Sequence, residues 1–197
     1  MYDKVLLPRV YITWPTIPRF TADEAPLSIL SSILAEGKSS RLHRALVYEK
    51  RIAQGVGVYH AGAEIAGALH LEVTASPGHT LQEVEDAAFQ EIERLRADGP
   101  TPDEVERGKN YMEWQTARQV STVGGFGGRA NRLNPFNVFT GDPGQANRDL
   151  ARYLAVQPED VRRVAQAYLS SRSVRLEVLP EPQRTRTLTV VDRTVEP

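Results

Sequence analysis

The chain has 197 residues, 41% hydrophobic and 25% charged, an ordinary balance for a globular domain long enough to bury a real core. Its 24 lysines and arginines against 25 aspartates and glutamates leave a formal net charge of -1, so no global field draws it to nucleic acid or an anionic membrane. There is no cysteine, which excludes disulfides, thiolate zinc sites and cysteine nucleophiles, and no apolar run approaches the roughly 20 residues a membrane-crossing helix needs.

The first expected element is a strand from Val5 to Pro18, with Val10, Ile12 and Trp14 on one face and with Pro15 and Pro18 ending it. Thr21-Ala22-Asp23-Glu24 reads as a capping box that opens a helix carrying Leu27, Leu30, Ile33 and Leu34 on one side. Glu36-Gly37 stops that helix, and Ser39-Ser40 caps a second one over Arg41 to Lys50, with Leu42, Ala45 and Leu46 inward. The period then changes to two. Val56, Val58 and His60 alternate with Gly55, Gly57 and Tyr59. After the turn-prone stretch Ala61 to Gly67, Leu69, Leu71 and Val73 alternate with His70, Glu72 and Thr74. These are two antiparallel strands, each with one apolar face.

Pro77-Gly78 breaks the second strand, and the box Thr80-Leu81-Gln82-Glu83 opens a helix to about Ala97. Asp98-Gly99-Pro100 ends it, and Thr101-Pro102-Asp103-Glu104 starts another that runs to about Val120. A glycine run around Phe126 leads to a helical stretch that offers Leu133, Phe136, Val138 and Phe139 for packing. Thr140-Gly141-Asp142-Pro143 is a turn; short helices follow from Gln145 to Leu154 and from Pro158 to Leu169. Val174, Leu176 and Val178 form a last strand before Pro180 and Pro182. This order predicts an α+β fold, a mostly antiparallel sheet with helices layered on one face. Residues 1–182 are expected to form one domain, and 183–197 a tail or terminal strand.

The candidates for chemistry are few. A zinc peptidase site needs two imidazoles one helical turn apart, a third ligand and a glutamate base. His43 has no histidine at helical spacing, and His79 falls in a turn. His60 and His70 could meet across the strand pair with Glu64 or Glu72; the plainer reading is two half-exposed strand histidines. No serine sits in a Gly-x-Ser-x-Gly elbow. Gly124-Gly125-Phe126-Gly127-Gly128 follows a helix and lacks Lys-Ser or Lys-Thr, so it is a hinge between helices rather than a phosphate loop. Arg129 and Arg132 behind it read as solvated, and Glu83 to Arg96 as an exposed charged helix face. On residues alone, this is a binding or scaffold domain without a catalytic constellation.

The stretch from Ala35 through Ser39-Ser40-Arg41-Leu42 to Glu49-Lys50 and Gln54 resembles the insulinase family, which includes pitrilysin and the mitochondrial processing peptidases. Gly99 to Val105, Phe139 to Pro143, and Val156 to Val161 resemble it in the same order, so the likeness runs from about Val10 to Pro180. Active members join two similar α+β domains, the N-terminal one carrying His-x-x-Glu-His. That motif occurs nowhere in this chain. The resemblance therefore implies a C-terminal, non-catalytic domain with no cofactor of its own. Its partners would be an N-terminal zinc-bearing peptidase domain or subunit and a peptide substrate, with no nucleic acid and no membrane span.

In active relatives this domain gives the substrate backbone an arginine and a tyrosine. The Glu-Lys register puts Tyr48 at the arginine position, or Val47 if a one-residue gap is moved, and Gln54 at the tyrosine position. The pair is thus absent, and Tyr48 and Gln54 are the weak substrate-binding candidates. The resemblance implies that this chain alone is inactive as a metalloendopeptidase; the alternative is an inactive scaffold subunit of the same family. The start Met1-Tyr2-Asp3-Lys4 lacks the apolar core of a secretory signal, which suits either a cytoplasmic protein or a piece of a longer precursor. The bacterial periplasm is the expected compartment ahead of the cytoplasm.

Overall fold

A computed structural model describes residues 1–124 and 127–181. Its strands are β1 (Tyr2–Asp3), β2 (Arg9–Thr16), β3 (Ala53–Gly62), β4 (Gly67–Ala75) and β5 (Val174–Pro180). They form one sheet in the order β1-β5-β2-β4-β3. All neighbours are antiparallel except β1 beside β5. Register puts Val10, Ile12 and Trp14 opposite Val73, Leu71 and Leu69, which in turn face Val56, Val58 and His60. The six central side chains are buried to within 1% of complete. The other face, with Tyr11, Thr13, His70, Glu72 and Thr74, is only half-buried. The period-two alternation is this division of the sheet into a core face and an open face.

The helices are α1 (Glu24–Ala35), α2 (Leu81–Asp98), α3 (Pro102–Ser121), α4 (Arg129–Thr140), α5 (Asp149–Leu154) and α6 (Pro158–Tyr168), with a 3-10 turn at Pro143–Asn147. α1, α2 and α6 lie against the core face, and α3 packs on α1. This is the α+β layering that the sequence predicts. α1 is buried nearly all round, Ile29, Ser31 and Ser32 as well as the predicted leucine face, because it is sandwiched between sheet and α3. Gly108 of α3 makes that approach possible: a Cβ there would lie 2.8 Å from Ser32 Oγ and 3.0 Å from Ile29 Cγ2. Trp14 anchors the sheet, edge-on to Phe89 of α2 and donating its indole N–H to Ser170 O at 2.9 Å.

Both later capping boxes form as predicted, Thr80 with Glu83 and Thr101 with Glu104. The first does not. α1 starts after Asp23, and the Glu24 carboxylate instead accepts from the Phe20 amide at 2.7 Å and from Arg152 at 3.1 Å. Pro15 does not end its strand; β5 pairing with β2 stops at Thr13, so proline sits where β2 has one neighbour and its missing donor costs no bond on the other side. Ser40 is no forward cap, since its hydroxyl donates back to Gly37 O. Of the four apolar residues expected to pack from α4, only Phe136 is buried. Glu91, expected on a solvated face, is 7% exposed and bound to Arg94. Arg129 and Arg132 are not merely solvated: they donate to Val120 O, Gln119 Oε1 and Ala146 O, tying α4 to α3 and the 3-10 turn. β1 escaped the sequence reading because two residues carry no period. Phe126 and the stretch 183–197 lie outside the described residues.

Candidate functional site

Three departures from regular backbone follow one another between the core and β3. First, the helix expected over Arg41 to Lys50 is wound as a π-helix over His43–Glu49, and Lys50 N–H reaches back to Ala45 O. Leu42, Ala45 and Leu46 are buried as predicted, so the winding widens a helix whose inner side is already fixed. Second, Arg51 has φ 56, a left-handed conformation that costs a non-glycine residue roughly 1–2 kcal/mol. Third, the β3–β4 register slips between Ala53 and Gly55, leaving Gln54 unpaired in a bulge. π turns, left-handed residues and bulges each concentrate at functional sites.

The two candidate residues sit on either side of Arg51. Tyr48 is 46% exposed, whereas Val47 packs against the core, so of the two possible registers only Tyr48 offers a side chain to solvent. Gln54 is also exposed. The structure does not join them by a hydrogen bond; it presents both at the point where the chain enters β3. That strand ends the sheet and, among the described residues, pairs only with β4, so its other side offers backbone donors and acceptors that no described strand takes. Beside its second half lies a groove of about 410 Å³, walled by Val58 to Gly62, by Ser28 and Ser31 of α1, and by Tyr111 and Met112 of α3. Glu24, which also lines the groove, accepts from Arg152, and Arg152 donates in turn to Asp149. Burial, then Asp149 and Glu24, push the Tyr153 phenol up to about 12.

The histidines do not assemble. His60 points to the core face, where Thr16 Oγ1 lies 3.0 Å from its Nε2. His70 is on the open face, stacked on Tyr59 at 4.7 Å with Thr13 Oγ1 3.0 Å from its Nδ1. The sheet itself separates them, so the cross-strand metal site weighed from sequence is geometrically ruled out. Burial, and the nearby His70, depress the His60 imidazole to about 4. Among the described residues no three His, Asp or Glu side chains converge as a metal site. The donor set of the described residues does not fit a catalytic zinc.

Two of the stretches that carry the family resemblance, Ala35 to Gln54 and Gly99 to Val105, meet in space. Arg41, from Ser-Arg-Leu, grips Glu104 through Nε and Nη2, both at 2.7 Å, and donates to Gly99 O at 3.1 Å. The same carboxylate accepts from the Thr101 amide. Burial pushes Glu104 upward, but the Arg41 guanidinium and the Thr101 amide outweigh it and hold the carboxyl below its ordinary value. These residues lock the π segment to the start of α3.

Comparison with known sequences decides the family. Residues 3–112 match the family described as the peptidase M16 inactive domain. The chain belongs to this family. It is 24% identical over 163 residues to an uncharacterized zinc protease of Streptomyces coelicolor, covering 83% of this chain and 35% of that one. A protease from Helicobacter pylori shares the fold at TM-score 0.78 and 19% identity, over 91% of this chain and 43% of its own. The inactive peptidase domain of a Bordetella parapertussis protein described as a zinc protease superposes with TM-score 0.75 at 22% identity, over 93% and 98%. This M16 inactive domain thus spans about a third of its Streptomyces relative and under half of the Helicobacter chain. No helix among the described residues is long and apolar enough to cross a membrane.

Proposed function

We propose that this M16 inactive domain is the non-catalytic half of a zinc metalloendopeptidase. It binds and encloses an extended peptide, while a separate N-terminal domain or partner subunit supplies the zinc. The observation that carries the reading is the side of β3 that no other described strand pairs with, entered through the irregular segment where Tyr48 and Gln54 are exposed. An extended peptide adds to such a side as a further strand, its main chain supplying affinity whatever its sequence, and adjoining pockets supply selectivity. The groove beside β3 would take alternate side chains of that strand. The Tyr48 hydroxyl and Gln54 amide would bond peptide main chain where the strand begins. Closing the two halves would then exclude water from the cleavage site.

The test is a titration of the purified chain with a fluorescent extended peptide, followed by the same peptide N-methylated at alternate residues. Binding of the first and loss with the second is expected, because methylation removes the donors that a strand needs. Tyr48→Ala and Gln54→Ala are each expected to weaken binding roughly two- to tenfold, the worth of about one hydrogen bond. The chain alone should cleave nothing; mixed with its matching His-x-x-Glu-His half it should. Equal binding of the methylated peptide would refute strand addition. Binding without cleavage in the mixture would favour the scaffold role instead.

A further inference from the structure

The winding of His43–Glu49 rearranges which side chains are neighbours. At 3.6 residues per turn, positions five apart are about 140° apart around an α-helix and do not touch. When hydrogen bonds step back five residues, as in a π turn, they come alongside one another. Two such pairs occur here. The rings of His43 and Tyr48 are 5.2 Å apart and tilted by 43°, and Arg44 Nε lies 3.5 Å from Glu49 Oε1. Nδ1 of His43 is buried with no hydrogen-bond partner among the described residues, so no polar contact through that atom explains the ring's placement. The ring does contact the phenol of Tyr48, a residue that is itself exposed.

We infer that His43 is a positioning residue: its ring braces the phenol of Tyr48 at the entrance to β3, and the π winding is the device that brings them together. A tyrosine on an ordinary α-helical surface samples several rotamers, and a peptide that needs one of them must freeze the rest. Packed against His43, the phenol is already held before peptide arrives. The peptide group it would meet is a main-chain carbonyl or amide, consistent with indifference to side-chain identity at that point. The inference rests on the proposed reading that Tyr48 touches peptide.

The experiment uses the intact chain and the fluorescent extended peptide, with Tyr48→Ala, His43→Ala, His43→Phe and the Tyr48→Ala/His43→Ala double variant. His43→Ala is expected to weaken binding roughly two- to tenfold, the range of a lost aromatic pair. It should add nothing once Tyr48 is gone, and His43→Phe should restore the affinity of the parent chain. The ring-proton resonances of Tyr48, assigned with Tyr48→Phe, should shift in His43→Ala and return toward their original positions in His43→Phe. If His43→Ala does not fold, His43→Leu makes the same comparison with bulk but no ring. Weakened binding by Tyr48→Ala with unchanged binding by His43→Ala would overturn the positioning role alone. Unchanged binding by Tyr48→Ala would overturn the peptide contact on which it rests.

Discussion

Arg41 and Glu104 show how a family-like signature can be structural rather than chemical. Both side chains are largely buried, and the fork of Arg41 is spent on one carboxylate and one carbonyl. Glu104→Gln leaves a half-satisfied guanidinium in a dry place and is expected to cost roughly 1.5–3 kcal/mol in a urea melt. Arg41→Lys should recover only part of the loss of Arg41→Ala, because an ammonium cannot make the two parallel bonds. His60 makes a different prediction. Its folded value of about 4 lies below the ordinary 6.5, so between those values the unfolded chain binds more protons than the folded one. Stability is therefore full above about 6.5 and falls as pH drops toward 4. His60→Gln should keep a hydrogen bond to Thr16 and flatten that part of a melting-temperature profile; an unchanged profile would show that His60 does not drive it.

The elements were legible where their signals are local. Thr80 and Thr101 cap the helices they precede because each box closes within four residues. Thr21 has the same pattern, yet Glu24 is taken by Arg152, 128 residues away, and no local pattern announces such a partner. The alternation of β2, β3 and β4 gave the core face directly. The π winding was not legible, because Leu42 and Leu46 are spaced as well for an α-helix. Only the family resemblance points to Tyr48 and Gln54; the left-handed residue and the bulge that follow Tyr48 have no compositional mark. Side-by-side packing of α1 and α3 likewise depends on one unmarked glycine. Gly108→Val would drive a branched side chain into Ser32 and Ile29, and about 1–3 kcal/mol of destabilisation is expected. In a domain of this size each kcal/mol lowers the melting temperature by roughly 2–4 °C, readable by calorimetry.

At the scale of the whole molecule, one face of the sheet is closed by helices, and among the described residues no strand lies beyond β3. The ten residues of that strand, Ala-Gln-Gly-Val-Gly-Val-Tyr-His-Ala-Gly, include no lysine, arginine, aspartate, glutamate or proline. Natural sheets usually guard such a margin with charge, proline or a covering segment. A bulge at Gln54 guards only its start. Taken away from whatever normally lies along it, the domain carries a ready template for its own kind. Sedimentation at rising concentration should show dimers, and Ala61→Lys, at an exposed position of that strand, should return monomers without lowering the melting temperature of the fold by more than a few degrees. The feature that suits the proposed peptide-holding role is thus the one expected to make the isolated domain associate with itself.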